Sequence, residues 1–240
     1  MSLVAHMAVA TGDERGVISC GQPIAVHGDA NLGPLSFSCD GSIAGQIWGA
    51  GAALGRHLIN TGLPDRPEVV EVGSGTGVAG LGAAIAGASR VVLTDLPDVV
   101  GRLEKQIERN QTVLAGSDVS AAALAWGSAS AAAAVCDSGV DLVLAADVLY
   151  SGEAEVQASL RATLVALAKP RDATILHAYE ERWPKIVQMW RDGIASSGLR
   201  VVSEIVLDAP WMAPDGEYSG FRERRLVLEE LKLTEECLYS

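Results

Sequence analysis

From Pro67 onward, short runs of valine and leucine alternate with amphipathic helical patterns, and this alternation strongly constrains the fold. Strands that alternate with helices predict an α/β architecture with a largely parallel sheet. The segments between these runs are short and show no internal domain boundary. A chain of 240 residues is long enough for one domain of this kind.

Seven runs have the length and composition of strands. They lie near Val69–Val72, Arg90–Thr94, Ala121–Trp126, Val140–Ala146, Ala173–Tyr179, Leu199–Leu207 and Arg222–Leu228. Helical patterns lie near Val78–Ala86, Val99–Asn110, Glu153–Ala168 and Trp183–Ser196. A turn-rich stretch without a helix separates the last two strands, which predicts an antiparallel hairpin there. The expected fold is a doubly wound, seven-stranded, mostly parallel sheet that ends in this hairpin.

Residues 1–66 are predicted to form a small appendage to that sheet, and residues 67–240 its core, within one structural domain. The segment Val17–Gly28 has the pattern of a two-stranded hairpin that turns near Gly21–Pro23. The segment Ile47–Leu58 has the pattern of a helix.

A glycine-rich turn directly follows the first strand of the core. Gly73, Gly75 and Gly77 allow the backbone to approach a ligand without a Cβ collision, and the helix that follows offers N–H groups. Ligands of α/β sheets bind at such a turn. The spacing matches both the GxGxxG fingerprint of dinucleotide sites and the E-x-G-x-G-x-G loop of S-adenosylmethionine sites. A tight turn without a ligand is the alternative.

Three side chains near this turn bear on the choice of ligand. The acid at Glu71 would repel a pyrophosphate but attract a sulfonium or an α-ammonium group, which favours S-adenosylmethionine. Asp95 ends the second strand, where its carboxylate can accept both ribose hydroxyls or cap the following helix. Trp126 ends the third strand, where it can contact adenine or pack in the core. No GxxxxGK[ST] motif is present, which excludes a P-loop.

With Trp126-Gly127 and the D-x-x-Y sequence at 147–150, these motifs resemble those of the seven-strand class I methyltransferases. The combination of D-x-x-Y with Trp48 is more specific, and it resembles the methyltransferase-16 family of protein-lysine methyltransferases. The similar segments occur in order between residues 45 and 182. They include GQIWGAGAAL, EVGSGTG, LTDLP and Arg182. Family members often carry two asparagines four residues apart in the helix after the second strand, where this chain has Gln106 and Asn110.

The resemblance implies a methyltransferase that binds S-adenosylmethionine and methylates a lysine amine of a protein substrate. Asp147 would hold the incoming ammonium, and Tyr150 would close the lysine channel; otherwise Asp147 caps the next helix and Tyr150 packs beneath it. Trp48 would line the methionine end of the cofactor or hold the N-terminal helix in place. Arg182 is predicted to be a solvated surface residue that pairs with a glutamate of the segment 153–155, or to steer an acidic substrate segment.

Composition excludes several partners. The chain has 18 basic and 30 acidic residues and a net charge of −12, which disfavours nucleic acid. No apolar run is long enough for a membrane helix. The four cysteines form no CxxC pair and the four histidines no HExxH motif, so no metal site is indicated. A cytoplasmic monomer is the default expectation.

Three other functions are compatible with parts of this pattern. The same fold and cofactor loop serve methyltransferases that act on small amines or nicotinamide-like rings. An NAD-dependent oxidoreductase would share the GxGxxG spacing, but it would require a motif such as Tyr-x-x-x-Lys, which is absent. A non-catalytic module could retain only the cofactor pocket. The sequence Asp-Val-Leu-Tyr at 147–150 differs from the Asn/Asp-Pro-Pro-aromatic motif of base-modifying enzymes.

Overall fold

A computed structural model describes residues 28–136, 138–207 and 225–239. The described chain starts with an antiparallel hairpin of two strands, β1 (Gly28–Leu32) and β2 (Leu35–Cys39). A short 3-10 turn, Ile43–Gly45, and the helix α1 (Gly49–Thr61) follow.

A seven-stranded sheet forms the body of the protein. Its strands are β3 (Glu68–Val72), β4 (Arg90–Asp95), β5 (Asp118–Ala123), β6 (Leu142–Ala146), β7 (Thr174–Glu180), β8 (Leu199–Leu207) and β9 (Leu226–Leu233). Their order is β5-β4-β3-β6-β7-β9-β8. The strands β3 to β7 are parallel, whereas β9 is antiparallel to β7 and to β8. The direction of winding therefore reverses between β3 and β6, and ligands bind at such a switch point.

Helices cover both faces of the sheet. They are α2 (Val78–Ile85), α3 (Pro97–Asn110), α4 (Ala129–Val135), α5 (Ala154–Ala168) and α6 (Pro184–Ser196), with a short α7 (Glu235–Tyr239) near the end. Apolar side chains of α1, α2 and α3 form one core cluster, and those of α4, α5 and α6 form a second. This arrangement confirms the predicted doubly wound α/β fold with an antiparallel end.

The strand β3 shows why its sequence reads as a continuous apolar run. Val69 packs in the first cluster, and Val70 and Val72 pack in the second, so the strand is buried on both faces. Glu71 lies on the same face as Val69. It is a glutamate among apolar neighbours, and it is buried as they are. A carboxyl group in such a position requires a specific explanation, which the cavity described below supplies.

Two predicted strands were displaced along the chain. The third, predicted at Ala121–Trp126, is observed as β5 three residues earlier. β5 is an edge strand with no buried residue, so its apolar alternation is weak, and Trp126 lies in the loop beyond it. The seventh, predicted at Arg222–Leu228, is observed as β9, where the acidic pair at 229 and 230 obscured its continuation to Leu233.

The predicted N-terminal hairpin lies outside the described residues, except for Gly28. The observed hairpin of β1 and β2 turns at Gly33-Pro34 and was not predicted. The division of the chain at residue 66 stays a prediction. No helix within the described ranges is long and apolar enough to cross a bilayer.

Two amides on α3 hold this hairpin against the main domain. Asn110 accepts a hydrogen bond from the Ser36 N–H and donates one to the Ser36 carbonyl, both at 2.8 Å. Gln106 makes the same pair of bonds to the backbone of Ser38, at 3.1 and 2.6 Å. Residues four apart on a helix lie on one face, so the two amides mimic a neighbouring strand for β2. Gln106, at the position where relatives of this kind often have asparagine, thus makes the same type of amide contact as Asn110.

Candidate active site

One cavity of about 820 Å³ lies at the carboxyl ends of β3, β4 and β6. Its volume is within the roughly 300–1,000 Å³ that small-molecule sites occupy. Eight of the nine predicted site residues line it: Trp48, Glu71, Gly73, Gly75, Asp95, Trp126, Asp147 and Tyr150. The topology thus brings residues about a hundred positions apart in the chain to a single site.

The glycines of the turn after β3 adopt left-handed backbone conformations and allow neighbouring side chains to lie close to the turn. Gly73, Gly75 and Gly77 have φ angles of 66°, 56° and 77°, in the left-handed region that favours glycine. A Cβ on Gly73 would lie 3.2 Å from the Trp126 ring, so glycine allows that ring to close over the turn. A Cβ on Gly77 would lie 2.8 Å from a methyl group of Leu93. Gly77 is absent from the cavity lining; it is the N-cap of α2 and lies close to Leu93 of β4.

Asp95 connects the end of β4 to this turn. One carboxylate oxygen accepts a hydrogen bond from the Gly75 N–H at 2.8 Å, and the other accepts one from the Leu96 N–H at 2.7 Å. The N-cap of α3 is Leu96, and no side chain caps it, so Asp95 is not the cap of this helix. Burial raises the pKa of Asp95, and the two N–H donors oppose that shift. Because each carboxylate oxygen has a second lone pair, the predicted contact with ribose remains open to it.

Glu71 lies at the floor of the cavity with 2% of its surface exposed. Its carboxyl group accepts a hydrogen bond from the Gly80 N–H at 3.1 Å, and no cationic side chain of the described residues forms an ion pair with it. Burial raises the pKa of Glu71 to about 8. A positively charged group that enters the cavity would favour its ionised form.

Replacement of Glu71 by glutamine should stabilise the unliganded protein at alkaline pH. The pKa of Glu71 is about 8 in the folded state, whereas a solvated glutamate has an ordinary pKa of 4.5. Between these pH values the folded state binds more protons than the unfolded state, so the stability of the wild type falls as the pH rises through this window. Glutamine keeps an acceptor for Gly80 and does not ionise. We expect E71Q to exceed the wild type by a few kcal/mol near pH 9.

Urea unfolding at several pH values between about 4 and 9 measures this difference. Glu104→Gln, on the exposed face of α3, is the matched control, because it removes a carboxylate that is already solvated. Stability curves of E71Q and the wild type that stay parallel across this range would contradict the assignment of a raised pKa.

Asp147 follows β6 directly and has a φ of 59°, a left-handed conformation that aspartate tolerates better than most residues. Its N–H donates to the Ala178 carbonyl at 2.9 Å, and its carboxylate accepts a hydrogen bond from Arg182 at 2.5 Å. α5 begins only at Ala154, with Glu153 as its N-cap, so Asp147 does not cap that helix.

The prediction that Arg182 is a solvated surface residue is wrong. Its side chain is 3% exposed, and its guanidinium donates to Glu180 at 2.6 Å as well as to Asp147. β7 ends at Glu180, next to the end of β6, and this adjacency brings Arg182 to Asp147. Burial lowers the pKa of Arg182, but the charges of Asp147 and Glu180 raise it by more, so the side chain stays charged.

Two aromatic residues form one wall of the cavity. The ring centroids of Trp126 and Tyr150 lie 5.8 Å apart. Tyr150 is 43% exposed and does not pack beneath a helix. The aromatic wall therefore faces the solvent-accessible side of the site.

Trp48 lies both at the start of α1 and at the cavity, so its predicted contact with the cofactor stays a prediction. It is the N-cap of α1 and lines the cavity, while its indole N–H donates to the Ile43 carbonyl at 2.9 Å. This bond holds the Ile43–Gly45 turn at the rim of the cavity, next to the glycine turn. Ala44 is close enough that a Cβ on Gly75 would lie 3.4 Å from its carbonyl oxygen.

Sequence reasoning missed several lining residues and one buried partner. The lining residues come from the segment before α1 and from α5, and include Ser42, Ile43, Ala44, Gln46, Val156 and Ser159. Apart from Gln46, which lies in the segment GQIWGAGAAL, they belong to no motif, so no local signal identified them. The partner is Glu180, which ends β7 and could have been found by the rule that selected Asp95, since both acids end a parallel strand.

The residues present fit S-adenosylmethionine. The buried carboxyl of Glu71 suits a cationic group, the carboxylate of Asp95 suits vicinal hydroxyls, and the Trp126 ring suits an adenine. Gly73 and Gly75 bring the backbone of the turn to the cavity without a side chain.

Comparisons with known proteins agree with this geometry. Residues 35–191 match a family described as lysine methyltransferase. The chain is 32% identical over 109 residues to EEF1A lysine methyltransferase 3 of Mus musculus, covering 45% of this chain and 44% of that protein. It is 37% identical over 85 residues to protein-lysine methyltransferase METTL21E of the same species, covering 35% and 34%. The matches thus span less than half the length of these relatives.

A solved structure shows the same fold at low sequence identity. The ribosomal protein L11 methylase of Lactobacillus delbrueckii subsp. bulgaricus superimposes with a TM-score of 0.53 at 14% identity, covering 87% of this chain and 98% of that one. The family match extends over well over half of the residues and contains the glycine turn, Asp95 and Asp147. This chain belongs to the lysine methyltransferase family.

Proposed function

We propose that this protein transfers a methyl group from S-adenosylmethionine to a lysine side chain of a protein substrate. The observation that carries this proposal is that one cavity joins the glycine turn and Asp95 to the buried carboxylate of Asp147. Family membership and the names of the relatives support the same reaction. A cytoplasmic location is proposed on the sequence grounds given above.

The residues divide into two groups across the cavity. Glu71, Gly73, Gly75, Asp95 and Trp126 would hold S-adenosylmethionine, with Trp48 at its methionine end. The bound molecule supplies a methyl group on a positively charged sulfur. Asp147 and Tyr150 line the same cavity and would face the acceptor.

The acceptor must be a neutral amine when its nitrogen attacks the methyl group. A lysine amine has a pKa of about 10.4 in water, so its ammonium must lose a proton to solvent before the nitrogen can attack. The Asp147 carboxylate would hold the ammonium first and then align the nitrogen, which forms a bond to the methyl carbon as the carbon–sulfur bond breaks. Tyr150 would restrict water at the entrance and contact the methylated ammonium through its ring.

Calorimetry with four ligands tests the cofactor assignment. We expect S-adenosylmethionine and S-adenosylhomocysteine to bind, and NAD and NADP not to bind, because Glu71 offers no partner for a pyrophosphate. Tight binding of NAD without binding of the methyl donor would refute the proposed function.

A second assay tests the acceptor. A cell lysate incubated with the protein and tritiated S-adenosylmethionine should show a labelled protein band, whose modified lysine is identified by mass spectrometry. EEF1A is a defined acceptor to test, because the name of a relative contains it. Label that appears only in small molecules would favour the alternative of a small-amine methyltransferase.

A further inference from the structure

Arg182 lies in a buried cluster of charges that reaches the cavity through Asp147. Its guanidinium bonds to Asp147 through one nitrogen and to Glu180 through another, and the side chains of Arg182, Asp147 and Glu180 are 3%, 6% and 1% exposed. Buried charges need such hydrogen-bonded partners, so removal of one member of the cluster would leave another charge uncompensated.

Two tryptophan rings also lie next to the guanidinium. Its central carbon lies 5.5 Å from the centroid of the Trp48 ring and 5.8 Å from that of Trp183. Cation–π contacts of this kind strengthen when water is excluded. Two carboxylates and two rings therefore surround the guanidinium of Arg182.

The Asp147 carboxylate depends on that side chain for its orientation. Only one of its oxygens has a hydrogen-bond donor among the described residues, and the donor is Arg182. Asp147 itself has a left-handed backbone in an irregular segment, so no helix or strand determines its rotamer. The other oxygen remains available as an acceptor in a residue that lines the cavity.

We infer that Arg182 is a positioning residue for the proposed reaction, which holds the Asp147 carboxylate at the cavity wall in one charged orientation. The inference rests on the proposed function. Arginine is suited to this task because its planar fork donates in two fixed directions, whereas a lysine ammonium is a single flexible point charge. A carboxylate that is free to rotate would align the acceptor nitrogen for a smaller fraction of the time.

Arg182→Lys tests the inference, because it keeps the positive charge of the buried cluster and removes only the fork. We expect R182K to bind S-adenosylhomocysteine with unchanged stoichiometry and with affinity within about threefold of the wild type. Its kcat should fall at least about tenfold, with KM for the acceptor nearly unchanged, because alignment acts on the transition state. The acceptor is the lysate protein that the wild type labels.

Arg171→Lys is the matched control. Arg171 also contacts two carboxylates, those of Glu68 and Asp141, but at the amino ends of the strands, away from the cavity. R171K should therefore retain the turnover of the wild type.

A double-mutant cycle with Asp147→Asn separates positioning from other roles. If Arg182 acts through Asp147, R182K should lower kcat by less than about threefold in the D147N background. Equal losses in both backgrounds would overturn the inference, as would an R182K variant as active as R171K. Loss of S-adenosylhomocysteine sites in proportion to lost turnover would show a structural role and also overturn it. A wild type that labels no acceptor refutes the proposed function instead.

Discussion

Asp147→Asn should lose at least about a hundredfold in methyl transfer while its affinity for S-adenosylhomocysteine stays within about threefold of the wild type. Asparagine keeps the size of the side chain, tolerates the left-handed backbone and still offers an oxygen to Arg182. It removes the negative charge that would hold an ammonium. A loss of turnover without a loss of cofactor affinity would therefore measure how much the charge of Asp147 contributes to holding and orienting the acceptor.

Asp172→Asn is the control for this variant. Asp172 also has a left-handed backbone, with a φ of 51°, but it lies in the turn before β7, outside the cavity. D172N should show the turnover of the wild type in the same assay. A D147N variant that remains fully active would refute the role of Asp147 in the reaction.

Gly75→Arg should abolish binding of S-adenosylhomocysteine, with a dissociation constant at least about a hundredfold above that of the wild type. Gly75 has a φ of 56° and lines the cavity next to Asp95, so a long side chain there would occupy the space of the ligand. Strain in the left-handed region costs about 1 kcal/mol, which should lower the melting temperature without unfolding the domain.

Gly33→Arg separates backbone strain from obstruction of the site. Gly33 has a φ of 64° in the turn between β1 and β2, and nothing lies within 4 Å of a Cβ built there. G33R should thus lose a similar amount of stability and keep its affinity, as measured by calorimetry and thermal unfolding. Equal affinities of G75R and G33R would show that the ligand does not approach the glycine turn.

The sequence predicted those features that depend on neighbouring residues. Val69–Val72 and the glycines that follow are contiguous, so the strand, the turn and the helix start were all recognisable from one short segment. Asp95 and Asp147 each follow an apolar run, and parallel strands end at one edge of a sheet, so both acids could be assigned to that edge. The observed cavity brings the two residues together.

The same local reasoning was less successful for strands whose apolar residues are exposed or whose polar residues are buried. β5 lies at the edge of the sheet and has no buried residue, so its boundaries were displaced by three positions. β9 contains Glu229, which is 1% exposed and accepts hydrogen bonds from Tyr179 and Trp190. A buried carboxylate with such partners looks like a surface residue in the sequence, because its partners lie 39 and 50 positions away.

The sequence by itself determined the α/β fold, the glycine turn and the acids at the strand ends, because strand length, glycine conformation and apolar periodicity are local properties. Only the tertiary structure decided that Arg182 is buried against Asp147, 35 positions away, and that Gly77 faces the core. The pairing of Arg182 depends on β6 and β7 being neighbours, and the ring centroids of Trp48 and Trp183 lie 5.5 and 5.8 Å from its guanidinium carbon. A surface arginine is solvated by water, whereas a buried arginine needs a carboxylate partner. The sequence around residue 182 contains no pattern that indicates this burial.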